Sequence, residues 1–120
     1  MRPTVLIVDD HRGFRRMARR MLEEGGFDVV AEAVDAAGAL AAVRDLGPEL
    51  VLLDIQLPDL DGFAVADTLA GGAAPPVVIL TSSRSAADYG SRLGRSPARG
   101  FVPKADLSGS AVAELFRIGG

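Results

Sequence analysis

Five short apolar runs, separated by segments with helical periodicity, constrain the fold of this chain more than any other feature. The runs have the length of β-strands and lie at residues 4–8, 27–33, 50–53, 76–80 and 100–102. The helical segments lie at residues 12–24, 36–46, about 62–70, 84–95 and about 108–117. Strands that alternate with helices predict an α/β protein in which a parallel sheet is covered on both faces.

The order of the strands follows from how such units connect. Right-handed crossovers favour a doubly wound five-stranded parallel sheet, and 2-1-3-4-5 is the common small version. We therefore expect a flavodoxin-like (βα)5 sandwich of three layers. Asp35 and Asp61 are suited to cap the second and third helices, because aspartate side chains accept hydrogen bonds from first-turn amides. Gly25-Gly26 and Gly47-Pro48 are typical of helix ends.

Segment 84–95 has the weakest helical signal. Its apolar face would include Gly90, and Gly94 follows; each glycine costs about 1 kcal/mol relative to alanine inside a helix. We expect a helix here because the connection between parallel strands needs a crossover, and Ser83 is its candidate N-cap.

Length and composition restrict the class of protein. The 120 residues fit one domain, expected to cover 1–120, and nothing after Ala113 reads as the start of a second. The absence of cysteine excludes disulfides and Cys-ligated zinc, and it suits a cytoplasmic protein. No apolar run approaches the roughly 20 residues of a membrane span. A net charge of −3 argues against nucleic-acid binding by this domain itself.

Polar side chains follow four of the predicted strands, where ligands bind in sheets of this kind. They are Asp9-Asp10, Asp54, Thr81-Ser82 and Lys104. Carboxylates packed together repel, and a hard cation with oxygen ligands such as Mg²⁺ relieves that repulsion. A carboxylate can also accept a phosphoryl group, whose transfer needs mainly positioning and positive charge. Mg²⁺ and Lys104 would supply the charge and Thr81 a hydrogen bond, so the set predicts a phosphoryl-accepting site.

Four ordered stretches resemble the receiver domain of two-component response regulators over the whole chain. They are "VLIVDDH" (5–11), "LVLLDIQLPDLDGF" (50–63), "VVILTSS" (77–83) and "GFVPKADL" (100–107). The sequences "DDHRGFRR" and "AADYGSRL" are most similar to those of receivers fused to a helix-turn-helix DNA-binding domain.

The resemblance implies a role for each site residue. Asp54 would be the phosphoacceptor; Asp10, Asp54 and the Gln56 carbonyl would bind Mg²⁺ directly, and Asp9 would act through water. Thr81 and Lys104 would contact the phosphoryl group, and Thr81 and Phe101 would form the switch. The family often has a proline after the lysine in a cis peptide, whereas here Pro103 precedes Lys104 and Ala105 follows. The resemblance therefore does not fix the peptide conformation at Lys104.

Simpler interpretations exist for single residues. Asp9 or Asp10 alone could cap a helix, Lys104 alone could be a solvated lysine, and Phe101 could be plain core. Arg12, Arg15, Arg16, Arg19 and Arg20 are typical of a solvated helix face, with docking of an acidic partner as the sharper alternative. His11 lies next to the acidic pair, but a hard Mg²⁺ site prefers oxygen, so we do not count it as a ligand or phosphocarrier.

Two other classes of protein would use similar residues. A Mg²⁺-dependent phosphohydrolase with an aspartate nucleophile has a D-x-D motif after its first strand, whereas this chain has adjacent Asp9-Asp10. A flavodoxin-like nucleotide binder needs a Ser/Thr/Gly-rich phosphate loop there, and "DDHRGFRR" is acidic at its start.

The combined expectation is a signalling domain rather than an enzyme acting on other molecules. A sensor histidine kinase or phosphotransfer protein would phosphorylate Asp54, and the face formed by the fourth helix, fifth strand and fifth helix would then change. A second receiver is a possible partner for that face, and no membrane partner is expected.

Overall fold

The computed structural model describes residues 1–118, which form a parallel sheet with helices on both faces. The strands of this part of the chain are β1 (Thr4–Val8), β2 (Asp28–Ala33), β3 (Leu50–Asp54), β4 (Val77–Ser82) and β5 (Gly100–Pro103). The helices are α1 (Arg12–Glu24), α2 (Ala36–Leu46), α3 (Gly62–Ala70), α4 (Ala86–Tyr89), α5 (Ser91–Arg95) and α6 (Gly109–Arg117). A 3₁₀ turn, Lys104–Asp106, follows β5.

The strand order is β2-β1-β3-β4-β5 with every pair parallel, which confirms the predicted doubly wound sheet. β2 and β5 are its edges. In residues 1–118, no helix has both the length and the apolar character needed to cross a bilayer.

The central strands are apolar without alternation because both of their faces are covered. Leu6 and Leu53 pack in one buried cluster with α2 and α3, whereas Ile7 and Leu52 pack in a second cluster with α1 and α6. All five residues of β3 are buried. Asp54 at its end therefore lies at the carboxyl edge of the sheet, on a strand that is covered along its whole length.

The predicted caps of α2 and α3 are confirmed. The Asp35 carboxylate accepts a hydrogen bond from the Gly38 amide at 2.7 Å, and that of Asp61 accepts one from the Ala64 amide at 2.9 Å. Gly47 ends α2 in the left-handed region, with φ 55°. These local rules place the loops that carry the site.

The segment between β4 and β5, residues 84–99, departs from the prediction of one continuous helix. We call it the crossover segment. Gly90 has φ 56° and ψ −134°, a conformation that favours glycine, and it separates α4 from α5. Ser83 as the N-cap was wrong: Ser85 begins α4, and its amide donates to the Asp88 carboxylate at 3.1 Å. Asp88 supplies the partner that a cap at Ser83 would lack.

Candidate functional site

The ends of β1 and β3 bring two carboxylates together at the carboxyl edge of the sheet. Val8 pairs with Leu53 in the parallel register, so Asp9 and Asp54 follow side by side. Asp9 is fully buried and Asp54 is 3% exposed. Asp10 lies beside them, with a side chain that is 39% exposed. The site is thus open to solvent on the side of Asp10 and closed beneath the other two carboxylates.

Lys104 reaches this pair from the loop after β5. Its Nζ lies 2.6 Å from Asp9 Oδ2 and 3.5 Å from Asp54 Oδ2, and it also lies over the Phe14 ring at 4.3 Å from the centroid. No peptide bond in residues 1–118 is cis, so Lys104 reaches the carboxylates without the proline arrangement that is frequent in the family. The ammonium places one positive charge against two buried carboxylates.

The charge on Asp54 is incompletely compensated. Burial raises the pKa of its carboxyl from 3.8 to about 6, and the neighbouring Asp9 carboxylate raises it as well. The Gln56 amide, which donates to Asp54 Oδ1 at 3.1 Å, and the Lys104 ammonium act in the opposite direction. Burial and repulsion raise the pKa of Asp54 more than the Gln56 amide and Lys104 lower it. The site therefore holds more negative charge than the described side chains neutralise.

This donor set fits a hard divalent cation. Asp9 Oδ1 accepts the His11 amide at 2.8 Å. Asp9 Oδ2 is buried and accepts no hydrogen bond of good geometry within the described residues, although the Lys104 ammonium is close. Three carboxylates at one point, with one ammonium against them, are the kind of oxygen ligands that Mg²⁺ takes.

Thr81 lies next to Asp54 but is hydrogen-bonded away from it. The two residues are partners in the β3–β4 register. The buried Thr81 hydroxyl donates to the Val102 carbonyl oxygen on β5 at 2.7 Å. A hydrogen bond from this hydroxyl to a group on Asp54 would therefore require Thr81 to release β5.

Phe101 lies further from the carboxylates, in contact with the crossover segment. Its ring packs edge-on against that of Tyr89, 5.9 Å between centroids, and Tyr89 packs in the same way against Phe63 at 5.7 Å. The Tyr89 hydroxyl is 2.6 Å from Ser82 Oγ. Tyr89 thus joins the first turn of α3, the end of β4 and β5.

Several of these contacts had no clear signal in the sequence. Tyr89 is the sole tyrosine and lies on the predicted apolar face of 84–95, which suggested only packing. Asp59, in the loop after β3, accepts hydrogen bonds from the Ala36 and Ala37 amides at 2.8 and 3.1 Å. The bond from Ala36 lowers the pKa of Asp59. These partners are far apart in the sequence, so no local rule could pair them.

His11, which sequence reasoning placed outside the site, lies against it. Its Nδ1 is 3.2 Å from Asp9 Oδ1 and 3.1 Å from Asp10 Oδ1, while the side chain remains 70% exposed. One ligand atom from each of Asp9, Asp10, His11 and Asp54 can be chosen so that all lie within 4.8 Å of one another. The spatial cluster therefore contains one nitrogen as well as carboxylate oxygens.

The basic face of α1 is solvated at Arg12, Arg16 and Arg20, as expected, but Arg15 and Arg19 are half-buried. Arg15 and Arg19 bind the Glu32 carboxylate on β2 at 3.0 and 2.8 Å, and Arg15 also donates to the Asp9 carbonyl oxygen at 2.8 Å. Burial tends to raise the pKa of Glu32, but the two arginines outweigh it, so that the pKa is lowered. Arg15 therefore helps to hold the backbone of the site.

Comparisons with known proteins agree with this architecture. Residues 5–109 match the family described as the response regulator receiver domain. The DNA-binding response regulator MtrA of Mycobacterium tuberculosis H37Rv is 40% identical over 88 residues, which cover 73% of this chain and 38% of MtrA. The DNA-binding transcriptional activator EvgA of Escherichia coli K12 is 26% identical over 110 residues, covering 92% of this chain and 54% of EvgA.

A solved structure gives the same result. The signal receiver domain of NarL from M. tuberculosis superposes with a TM-score of 0.83 at 32% identity, and the match covers 97% of each chain. By contrast, the chain spans only about half, or less, of the length of the curated relatives MtrA and EvgA.

Proposed function

The chain belongs to the response regulator receiver domain family, and from this premise we propose that it accepts a phosphoryl group on Asp54 within a two-component phosphorelay. The observation that carries the proposal is the buried Asp54 carboxylate, adjacent to Asp9 and 3.5 Å from the Lys104 ammonium. The donor is a phosphohistidine of a sensor histidine kinase or phosphotransfer protein. Residues 1–120 act as the receiver domain.

The residues of the site have distinct tasks in this reaction. With a pKa of about 6, the Asp54 carboxylate is mostly ionised at neutral pH. One of its oxygens can form a bond to phosphorus while the phosphorus–nitrogen bond to the donor imidazole breaks. Lys104 faces the developing charge on the phosphoryl oxygens. Asp10, Asp54 and the Gln56 carbonyl would hold Mg²⁺ directly, and Asp9 through water. When bound, Mg²⁺ supplies positive charge to the transferring group.

The chain acts on no external substrate in this proposal. It catalyses only its own phosphorylation and dephosphorylation, in the cytoplasm, without binding a membrane or, through this domain, nucleic acid. The names of MtrA and EvgA as DNA-binding proteins support a place in the input half of a transcriptional regulator.

Intact-mass measurement tests the assignment of Asp54. With a small phosphodonor and Mg²⁺, we expect the mass of one phosphoryl group to be added to the wild type and none to Asp54→Asn, which keeps the shape but lacks the nucleophile. Asp67→Asn, at an exposed position on α3, is the matched control and should label as the wild type does. Full labelling of Asp54→Asn on another residue would show that the assignment is wrong.

The switch follows from the hydrogen bond of Thr81. A phosphoryl oxygen on Asp54 would draw the Thr81 hydroxyl from the Val102 carbonyl, next to Phe101, and the Phe101 ring would fill the vacated space. The face of the crossover segment, β5 and α6 would change and recruit a partner, a second receiver. A ligand shifts such an equilibrium only through contacts that differ between the two states, and this hydrogen bond differs.

Hydrogen exchange with a beryllofluoride mimic tests the switch. We expect altered protection across residues 84–103 in the wild type. Thr81→Ala should bind the mimic without the altered protection in residues 84–103, because it lacks the hydroxyl that would hydrogen-bond to the phosphoryl group on Asp54. Changes confined to the loops around Asp54 in the wild type would contradict the mechanism.

A further inference from the structure

We propose that His11 is an additional metal ligand. It would give this site a preference for divalent ions that bind imidazole nitrogen, such as Co²⁺, over Mg²⁺. The inference rests on the metal site of the proposed function but goes beyond it, since Mg²⁺ requires only the oxygen ligands. It begins from the placement of His11 Nδ1, 3.1 Å from Asp10 Oδ1 and 3.2 Å from Asp9 Oδ1.

These spacings suit hydrogen bonds between the imidazole and the carboxylates, and they equally suit neighbouring ligands on one ion. In an octahedral site with metal–ligand distances of about 2.0–2.1 Å, adjacent ligand atoms lie about 3 Å apart and opposite ones about 4 Å apart. The nitrogen and oxygens of His11, Asp10, Asp9 and Asp54 span at most 4.8 Å. A contraction of several tenths of an ångström would therefore bring His11, Asp10 and Asp54 onto a single ion, with Asp9 close enough to act through water.

The backbone already holds His11 in this position. Its amide donates to Asp9 Oδ1 at 2.8 Å, and the residue is the N-cap of α1, without a side-chain hydrogen bond to the helix. The imidazole is therefore free of a capping task. Beneath it, the buried Asp9 Oδ2 contacts only the Lys104 ammonium, at 2.6 Å, so the described residues place a single cation against three carboxylates.

The chemistry of imidazole predicts which ions gain. Mg²⁺ is hard and prefers oxygen, whereas imidazole nitrogen suits later first-row metals, whose affinities for mixed N/O sites rise from Mn²⁺ through Co²⁺ to Cu²⁺. The contribution of His11 should therefore be small for Mg²⁺ and large for Co²⁺. If His11 only neutralises the acidic pair, its removal should instead strengthen the binding of every cation.

Calorimetric titration of the full chain with MgCl₂ or CoCl₂ alone separates these outcomes. For His11→Ala we expect Co²⁺ binding to weaken tenfold or more, Mg²⁺ affinity to stay within twofold, and the visible absorption of bound Co²⁺ to change. Arg12→Ala, at the exposed adjacent position, is the control and should leave both affinities nearly unchanged.

The two proposals fail in different ways. Unchanged Co²⁺ affinity in His11→Ala, or a gain in affinity for both ions, would overturn the role of His11 while leaving the site intact. Absence of Mg²⁺ binding in the wild type, or full Mg²⁺ affinity in Asp10→Ala, would instead overturn the metal site of the proposed function.

Discussion

The strands that carry the site carboxylates, β1 and β3, and the crossover segment differ in how deeply they are buried. β3, which carries Asp54, is buried along its whole length, and β1 is buried from Val5 to Val8. α4 and α5 contribute no buried side chain, and Gly90 interrupts them. Elements with few buried contacts open at low free energy. A rigid scaffold thus holds the reacting group, next to an element that a local event can reorder.

Several contacts of α4 and α5 lie near the site, whereas Arg99, at the end of the crossover segment, binds the last turn of α6. Tyr89 touches Ser82, Phe63 and Phe101. Arg92 binds the Asp61 carboxylate at 3.2 Å and lies over the Phe63 ring at 4.3 Å from its centroid. A small displacement of the loops around Asp54 can therefore reach α4 and α5 through Tyr89 and Arg92.

The largest expected contrast comes from two glycine substitutions, one in each region. A Cβ at Gly62 would lie 2.6 Å from the Asp54 carbonyl oxygen and 2.7 Å from Ile55 Cα, whereas a Cβ at Gly94 would meet nothing within 4 Å. We expect Gly62→Ala to lower the free energy of unfolding by about 3 kcal/mol, and Gly94→Ala to raise it by up to about 1 kcal/mol. Urea unfolding measures both; similar effects at the two positions would break the comparison.

Metal binding should stabilise the rigid region. Mg²⁺ should bind the folded state because it relieves the repulsion among Asp9, Asp10 and Asp54. At a concentration 100 times its dissociation constant, such a ligand raises the free energy of unfolding by about 2.7 kcal/mol. We expect the melting temperature to rise with Mg²⁺ relative to chelator. Asp10→Ala should lose most of this increase and Asp67→Ala none. Identical melting temperatures with Mg²⁺ and chelator in the wild type would count against the site.

The raised pKa of Asp54 makes the metal-free protein less stable as the pH rises. The pKa of Asp54 is about 6 in the folded state, against 3.8 for an ordinary aspartate. The folded state therefore binds this proton more tightly than the unfolded chain. The stabilisation is full below pH 3.8 and is lost as the pH rises through about 6, roughly 2 kcal/mol between about pH 4 and 7.5.

Asp54→Asn removes this dependence, since the amide does not titrate. In chelator, the free energy of unfolding of Asp54→Asn minus that of the wild type should therefore increase by roughly 2 kcal/mol as the pH rises from about 4 to 7.5. Urea unfolding at the two ends of the range measures the difference, and Asp67→Asn serves as control. A difference that stays constant with pH would show that Asp54 is not held at raised pKa.

The smallest effect concerns Tyr89. Tyr89→Phe keeps the packed ring and removes the hydrogen bond to Ser82, a loss of about 1 kcal/mol. We expect faster hydrogen exchange in residues 84–99, with little change in β1 and β3. Equal acceleration in both regions would mean that the crossover segment does not open independently.

The sequence predicted what depends on short-range rules and on topology. Asp35, Gly47 and Asp61 each satisfy a local backbone requirement, and the parallel order then forces Asp9 and Asp54 to one edge. The roles assigned to Asp54, Gln56, Thr81 and Phe101 stay predictions, for which the structure supplies positions.

What escaped prediction depends on partners that are distant in the chain. Gly90 divides the crossover segment into α4 and α5, and periodicity does not predict such a break. The contact of Asp59 with α2 and that of His11 with the acidic pair arise only once the loops meet in space. Residue type alone had favoured oxygen ligands over His11, and spatial proximity reopens that question.

The short edge strand β5 has a consequence for assembly. Sheet edges with unpaired amides and carbonyls can template the addition of another strand, which leads to aggregation. β5 has four residues and ends in Pro103, which has no amide hydrogen to donate to a neighbouring strand. The short strand and its proline disfavour extension of the sheet by a second copy that docks on this side. Side chains, which a switch can rearrange reversibly, would then carry most of the recognition there.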